Sequence, residues 1–306
     1  MLEQNAGAGS GSSGTDKAPA SLATRTMFPL APGIAAGTAL GISDVLAKII
    51  FAAGTDVLTM LSFRSVVGLA FVATWLRFRP KPHADARVRW ISMVIGIMFA
   101  GLIFCLFKAI NAIDVPTAIL SYFTYPLLTG LTASLAGLEP LRWKGVLCAV
   151  AAFFGLAVMI GAHPAGLAFA GVAYAVGAAC CRTGVLLATR AYLVGADARM
   201  TTWYSMISST AVFVAVSLAT QTWNPPQSTV GWACLIALSL ATTAGILLVF
   251  MSTVRIGPFR TALILHLEPL TAMLLSALVL GEVITPVQGI GSAIMLAALI
   301  AFQLWR

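Results

Sequence analysis

The sequence predicts an all-α integral membrane protein with ten transmembrane helices, arranged as two inverted repeats of five helices each. Three observations predict this fold class: the scarcity of charged residues, ten apolar stretches of spanning length, and a similarity between the two halves of the chain. Charged residues make up 9% and apolar residues 59% of the 306 residues, whereas a water-soluble domain carries roughly 25% charged residues. A water-exposed surface cannot be built from so few charges, so the composition indicates a membrane protein.

Ten apolar stretches each reach the roughly 20 residues that a helix needs to cross a bilayer. We predict spans at 30–52, 57–78, 91–112, 115–137, 143–162, 166–190, 200–220, 230–254, 258–281 and 285–305. The connections are short and hold helix-breaking residues, as in Arg79-Pro80-Lys81-Pro82. Residues 1–26 contain a Gly/Ser-rich run, which predicts a flexible cytoplasmic tail. The spans then divide into a first repeat over 27–162 and a second, inverted repeat over 163–306.

The positions of the basic residues predict the orientation in the membrane. With the N-terminus in the cytoplasm, fourteen of the eighteen Lys and Arg residues lie on the cytoplasmic side and none lies in an outer loop. The other four fall within spans, and these are Lys48, Arg64, Lys108 and Arg182. Because basic loops stay inside, we predict a multi-pass protein of the bacterial inner membrane with both termini cytoplasmic. The net charge of +8 then faces anionic lipids, and a nucleic-acid partner is not needed.

The two halves of the chain match when one is shifted by 143 residues. Pro126 then falls on Pro269, and Glu139 falls on Glu282. A mid-span proline followed thirteen residues later by a glutamate is a specific match in so apolar a chain. Five spans per repeat is an odd number, so the two halves have opposite orientations. Inverted repeats with a site near the membrane midplane are typical of secondary transporters.

Two segments carry a resemblance to a known family. Leu267-Glu268-Pro269-Leu270, followed by Leu280-Gly281-Glu282 and Gln288-Gly289, resembles a signature of EamA-type proteins of the drug/metabolite transporter superfamily. Tyr125-Pro126-Leu127 with Gly137-Leu138-Glu139 resembles the same signature in the first half. The resemblance runs from about residue 30 to the end of the chain and implies a transporter of a small metabolite.

Within that family, the basic inner loops and the aromatic central region are most similar to exporters of aromatic and hydrophobic amino acids. Lys48 and Phe63-Arg64 also stand where the family tends to carry such residues. The resemblance therefore implies export of an amino acid, while a sugar, a nucleoside or a drug-like compound stays open as the substrate.

Ionisable residues within a bilayer are costly and are therefore candidates for function. Aromatic residues beside the two mid-span prolines add walls for an apolar substrate, and interrupted helices are where carriers place their sites. The predicted substrate-binding residues are Tyr122, Tyr125, His266, Phe104, Phe107, Lys108, Glu268, Asp44, Lys48 and Arg64. Pro126 and Pro269 are predicted hinges that kink their helices.

Several of these residues have an equally good structural interpretation. Asp44 and Lys48 are one helical turn apart and can neutralise each other. Lys48 and Lys108 lie about four residues from the outer ends of their spans and can extend to the headgroups. Arg182 is interpreted as structural, and Glu139 and Glu282 suit helix N-termini, where a carboxylate is stabilised.

An amino acid substrate would use this inventory of charges, because a zwitterion needs a cation for its carboxylate and an acceptor for its ammonium group. The other function classes have less support. The sequence has no Gly-x-Ser-x-Gly, His-Glu-x-x-His or Gly-x-x-x-x-Gly-Lys-Ser/Thr motif, so neither an intramembrane enzyme nor an ATP-driven pump is predicted. The five cysteines show no metal-ligand spacing. We therefore expect no catalytic residues, no metal site and no cofactor.

Overall fold

The structure is a computed structural model that describes residues 22–78, 84–161 and 168–304. The helices in these residues are α1 (Leu22–Ala52), α2 (Val57–Phe78), α3 (Ala86–Ala112), α4 (Val115–Tyr122), α5 (Tyr125–Leu135), α6 (Trp143–Ile160), α7 (Phe169–Tyr192), α8 (Ala198–Thr220), α9 (Thr229–Ile256), α10 (Pro258–Ile264), α11 (Leu267–Leu280) and α12 (Pro286–Leu304). Most of the predicted tail lies outside the described residues, as does the Arg79-Pro80-Lys81-Pro82 connection. The last five residues of that predicted tail, 22–26, belong to α1 because no glycine or proline interrupts them.

Ten segments of the described chain are long and apolar enough to cross a membrane. Eight of them are single helices, while Val115–Leu135 combines α4 with α5 and Pro258–Leu280 combines α10 with α11. This confirms the predicted fold class of ten spans in two five-helix repeats. The largest difference in a boundary is in the third span, which begins at Ala86 and not at residue 91. Ten spans place the start of the first and the end of the tenth on one side, which we call the terminal face.

The two repeats pack against each other through matching pairs of spans. α1 packs along α9, and α3 packs along α7, so the first span meets the eighth as the sixth meets the third. α2 packs on α8, and α6 packs on α12, so the second span meets the seventh and the fifth meets the tenth. An exchange of the two repeats preserves this pattern of contacts, as expected for inverted repeats related by a pseudo-two-fold axis.

Glycines set the closest approaches between helices. A Cβ at Gly155 of α6 would lie 2.7 Å from the backbone nitrogen of Met295 in α12, and a Cβ at Gly41 of α1 would lie 2.6 Å from the carbonyl oxygen of Glu268 in α11. Helices in lipid associate through such close packing, which larger side chains prevent. The Gly41 contact holds α1 against the middle of the ninth span.

Spans four and nine are interrupted near mid-depth. α4 ends at Tyr122 and α5 begins at Tyr125, while α10 ends at Ile264 and α11 begins at Leu267. Pro126 and Pro269 stand just after these interruptions, and a proline has no N–H to continue the helical hydrogen bonds. The hydroxyl of Thr124 donates to the carbonyl of Ser121 at 2.7 Å, which satisfies one backbone group at the first interruption. Breaks of this kind are tolerated in a membrane where protein or a cavity surrounds them.

Candidate functional site

A cavity of about 220 Å³ lies at mid-depth between the two repeats. We call it the central cavity. Side chains from α1, α2, α3, α4, α7, α8, α9 and α11 line it. Its polar lining residues are Ser43, Asp44, Arg64, Ser65, Tyr122, Arg182, Ser205, Ser209, Thr242, Thr243 and Glu268. Two carboxylates and two guanidinium groups therefore face one small space in an otherwise apolar bundle.

The four charged residues balance formally but do not form close pairs with one another. Among the described residues, no ion pair within 4 Å involves Asp44, Arg64, Arg182 or Glu268. Asp44 interacts electrostatically with Glu268 and Arg64, and Arg182 interacts with Glu268. Asp44 keeps accessible surface deep within the protein because it lines the cavity. Since buried charges are costly without partners, charged side chains that converge on a cavity are candidates for ligand binding.

Arg182 of α7 is held on one side of the cavity by aromatic rings. Its guanidinium carbon lies 5.7 Å from the ring centre of Tyr125 and 5.8 Å from that of Phe99, which are cation–π distances. Its Nε has no hydrogen-bond partner in the described structure. Sequence reasoning assigned Arg182 a structural role, although a charge in the middle of the sixth span was the signal that could have placed it in the site.

The predicted aromatic group is divided between the cavity and the protein core. Tyr122 lines the cavity. Tyr125 is 1% exposed, and its hydroxyl donates to the carbonyl oxygen of Ala262 at 3.3 Å. His266 is fully buried, with Nδ1 3.1 Å from the carbonyl oxygen of Leu263. Tyr125 and His266 therefore lie outside the cavity lining, because the helix breaks turn them towards the contact between α5 and α10.

Four further predicted residues also lie away from the cavity lining. Lys48 forms no ion pair with Asp44 one turn earlier in α1, because its Nζ lies 3.1 Å from both Glu282 Oε1 and Ser276 Oγ. Lys108 is exposed and lies over the ring of the exposed Phe104, 5.8 Å from its centre. Phe107 packs on the apolar cluster around Ile50, Met60 and Leu61. Ile103 and Leu106 of α3 line the cavity, so Phe104 and Phe107 lie away from it because they face other sides of the same helix, while Lys48 and Lys108 also stand about one turn from the ends of their spans.

The two prolines stand beside the cavity without lining it. Pro126 is buried and Pro269 is partly buried, and neither is among the lining residues. Their neighbours at the breaks, Tyr122 and Glu268, do line the cavity. The interruptions thus bring side chains from the middle of spans four and nine into the site.

The serine and threonine residues of α8 and α9 are part of the lining that sequence reasoning missed. Ser205 and Ser209 are one helical turn apart on α8, and Thr242 and Thr243 face them from α9. Their spacing within apolar spans was the available signal. The hydroxyl of Thr242 is buried and has no hydrogen-bond partner in the described structure.

Polar contacts join the two repeats at each end of the bundle. At the end opposite the terminal face, Asp56 accepts a hydrogen bond from the backbone N–H of Asn224 at 3.1 Å and from the hydroxyl of Thr59 at 2.5 Å. Burial raises the pKa of Asp56, but these hydrogen bonds outweigh it, so the pKa lies below its ordinary value. At the terminal face, Glu139 accepts from the N–H of Phe259 at 2.9 Å. Burial raises the pKa of Glu139 despite that bond and the nearby Arg260.

No group of three His, Cys, Asp or Glu side chains able to hold a metal ion occurs within 22–78, 84–161 and 168–304. The lining of the central cavity offers charged groups, hydroxyls and aromatic rings.

Comparisons with known proteins agree with the fold. Residues 28–161 and 169–303 each match the sequence profile of the EamA-like transporter family. A solved crystal structure, described only as that of a protein, superposes with a TM-score of 0.75 at 17% sequence identity, over 90% of this chain and 99% of that chain. This likeness concerns the fold alone. Comparison with curated proteins finds no match.

Proposed function

The chain belongs to the EamA-like transporter family, and on this premise we propose that it is a secondary transporter that exports aromatic or other hydrophobic amino acids. The substrate would bind in the central cavity, which opens alternately to the two sides of the membrane. We further propose that the membrane is the bacterial inner membrane, with the terminal face in the cytoplasm. The direction of transport rests on the resemblance to amino acid exporters.

The observation that carries the substrate proposal is the presence of both signs of charge in one small cavity. Arg64 and Arg182 supply donors for a carboxylate, to which a guanidinium group can form two parallel hydrogen bonds. Asp44 and Glu268 supply acceptors for an ammonium group. Tyr122 offers an aromatic wall for an apolar side chain. Sites for drug-sized ligands occupy roughly 300–1,000 Å³, so a cavity of about 220 Å³ suits a small metabolite.

Alternating access is supported by the interrupted helices and by the pairing of the repeats. The breaks after Tyr122 and Ile264 allow the halves of spans four and nine to move separately. In the described part of the chain, polar contacts that join the repeats include Lys48–Glu282 and Asp56–Asn224 at one end and Glu139–Phe259 at the other. The Lys48–Glu282 ion pair is about half exposed and exposed ion pairs contribute little stability, so this contact can open and close during a transport cycle.

The experiment is transport by purified protein in liposomes, with labelled phenylalanine and tryptophan compared with a sugar and a nucleoside. We expect uptake of the amino acids. Arg182→Gln and Glu268→Gln should each raise the apparent KM about tenfold or more, because a hydrogen bond to a charged group is worth roughly 1.5–3 kcal/mol. Arg89→Gln, which removes an exposed cation outside the cavity, should leave the KM unchanged.

Two results would count against this proposal in different ways. An unchanged KM in both cavity variants would show that the amino acid binds elsewhere. Transport of only the sugar or the nucleoside would refute the substrate, while membership of the family would stand. For the orientation, we expect a cysteine introduced at Asp85 to be labelled from the cytoplasm, and labelling from outside intact cells would overturn it.

A further inference from the structure

A second cavity of about 220 Å³ lies at the terminal face, away from the central cavity. The turn before α6, the end of α7, the start of α10 and the end of α12 line it. We call it the basic pocket because its charged lining residues are Arg142, Lys144, Arg190, Arg260 and Glu139. Four cations and one carboxylate give the pocket a formal net charge of +3.

The single carboxylate of the basic pocket is already engaged. Glu139 Oε2 accepts from the backbone N–H of Phe259 at 2.9 Å, and Oε1 lies 3.5 Å from Arg260 Nε. Arg190 donates through Nη1 to the carbonyl oxygen of Val254 at 2.5 Å, a neutral acceptor that leaves its charge in place. Arg142 is exposed and takes part in no ion pair within 4 Å in the described part of the chain. Among the described residues, the charges of Arg142 and Arg190 therefore have no carboxylate within 4 Å.

The start of α6 adds a second attraction for an anion. Arg142 is the N-cap of this helix and provides no side-chain hydrogen bond to its first amides, and Arg142, Lys144 and Gly145 all line the pocket. Helix N-termini carry a partial positive charge and stabilise anions. The cations and the helix start thus act on the same small space.

The basic pocket lies at the ends of the transmembrane spans, where lipid headgroups are expected. It lies where spans five and nine begin and spans six and ten end, and Phe302 and Gln303 of α12 form part of its wall. Trp143 beside it is 71% exposed, and exposed tryptophans are enriched at the membrane–water interface. Basic pockets between transmembrane helices bind anionic headgroups.

We propose that the basic pocket binds a phosphate group, presented by an anionic phospholipid of the leaflet at the terminal face. Arg142 and Arg260 would contact the phosphate oxygens, since guanidinium groups match their geometry in pairs of hydrogen bonds. No residue of the central cavity belongs to this pocket, so the proposal is independent of the transported substrate.

The test is the thermal stabilisation of the purified full chain in detergent by three additives: phosphatidylglycerol, phosphatidylcholine and inorganic phosphate. We expect phosphatidylglycerol to raise the Tm more than phosphatidylcholine does, and 0.5 M salt to weaken that difference by screening. In the double variant Arg142→Gln/Lys144→Gln, the apparent affinity for phosphatidylglycerol should fall about 30-fold. The control Arg77→Gln/Arg89→Gln removes two exposed cations of α2 and α3 outside the pocket and should bind as the parent does.

The outcomes separate the possible sources of the phosphate. Stabilisation by inorganic phosphate as strong as that by phosphatidylglycerol would keep the phosphate site but overturn the lipid as its source. Equal stabilisation by both phospholipids would overturn the site. An equal fall in the affinity for phosphatidylglycerol in the pocket variant and in the control would also overturn it. If the double variant does not elute as a single folded species, Arg142→Gln alone, at an exposed position, provides the same comparison with a smaller expected loss.

Discussion

Tyr122 and Tyr125 are only three residues apart, yet the structure gives them different environments and therefore predicts different effects of replacing them. Tyr122 lines the central cavity, whereas Tyr125 is 1% exposed and fixed to the carbonyl of Ala262. We expect Tyr122→Ala to change transport and Tyr125→Ala to change stability. The rings are 5.3 Å apart, so the comparison separates two roles within one region.

The size of the stability effect follows from the burial of Tyr125. In a membrane, the side chains of the unfolded reference state are also in an apolar environment. The loss of stability in Tyr125→Ala therefore comes mainly from the cavity that the missing ring leaves and from the broken hydrogen bond. A cavity of roughly 100 Å³ at about 24 cal/mol per Å³ costs about 2.4 kcal/mol, and a hydrogen bond adds about 1 kcal/mol. At about 2–4 °C per kcal/mol, Tyr125→Ala should lower the Tm by roughly 7–14 °C. Tyr125→Phe keeps the ring beside Arg182 and should lose only the roughly 1 kcal/mol of stability that the hydrogen bond contributes.

Tyr122→Ala removes a wall of the cavity and should raise the apparent KM several-fold, since an aromatic contact is worth roughly 1 kcal/mol. The assays are thermal unfolding in detergent and initial transport rates in liposomes, run on the same preparations. Phe154→Ala, at a side chain of α6 that is 59% exposed, is the control and should change neither quantity. If Tyr125→Ala keeps the parent's Tm but raises the KM, Tyr125 contacts the substrate and the division drawn from the structure is wrong.

Three further predictions concern the contacts that hold the repeats together. Gly291→Val should lower the Tm strongly, because the added Cβ would meet the backbone of Met159 in α6. The control Gly289→Val lies on the same helix with open space around it and should leave the Tm unchanged. Lys48→Met should cost less than about 1 kcal/mol, because its ion pair with Glu282 is about half exposed, and a larger loss in unfolding assays would show that the contact is structural. Asp56→Asn should lower the Tm at pH 7, because the ionised carboxylate stabilises the folded state. This stabilisation is complete above the unfolded pKa of about 4 and is lost as the pH falls through the depressed pKa of the folded state. A constant difference down to acid pH would exclude the ionised carboxylate as its cause.

The number and order of the spans could be predicted from the sequence alone. A bilayer fixes the length of an apolar helix and requires every backbone polar group to be paired within it, so each span leaves a local signal of about 20 residues. The equivalence of Pro126 with Pro269 is also local information, and both stand next to a helix break in the structure. These features do not depend on which side of a helix faces its neighbours.

Which side chains face the central cavity was decided only by the tertiary structure. The spacing of Tyr122 and Tyr125 predicts one shared face if the helix is continuous, but α4 ends at the first and α5 begins at the second, so the spacing rule does not apply. Lys48 is bonded to Glu282, 234 residues away, and no local pattern indicates that partner. In a soluble protein, polar residues mark the side of a helix that faces water. Lipid and protein interior are both apolar, so the sequence of a span gives the depth of Arg182 or Lys108 in the membrane, while only helix packing determines the direction of the side chain.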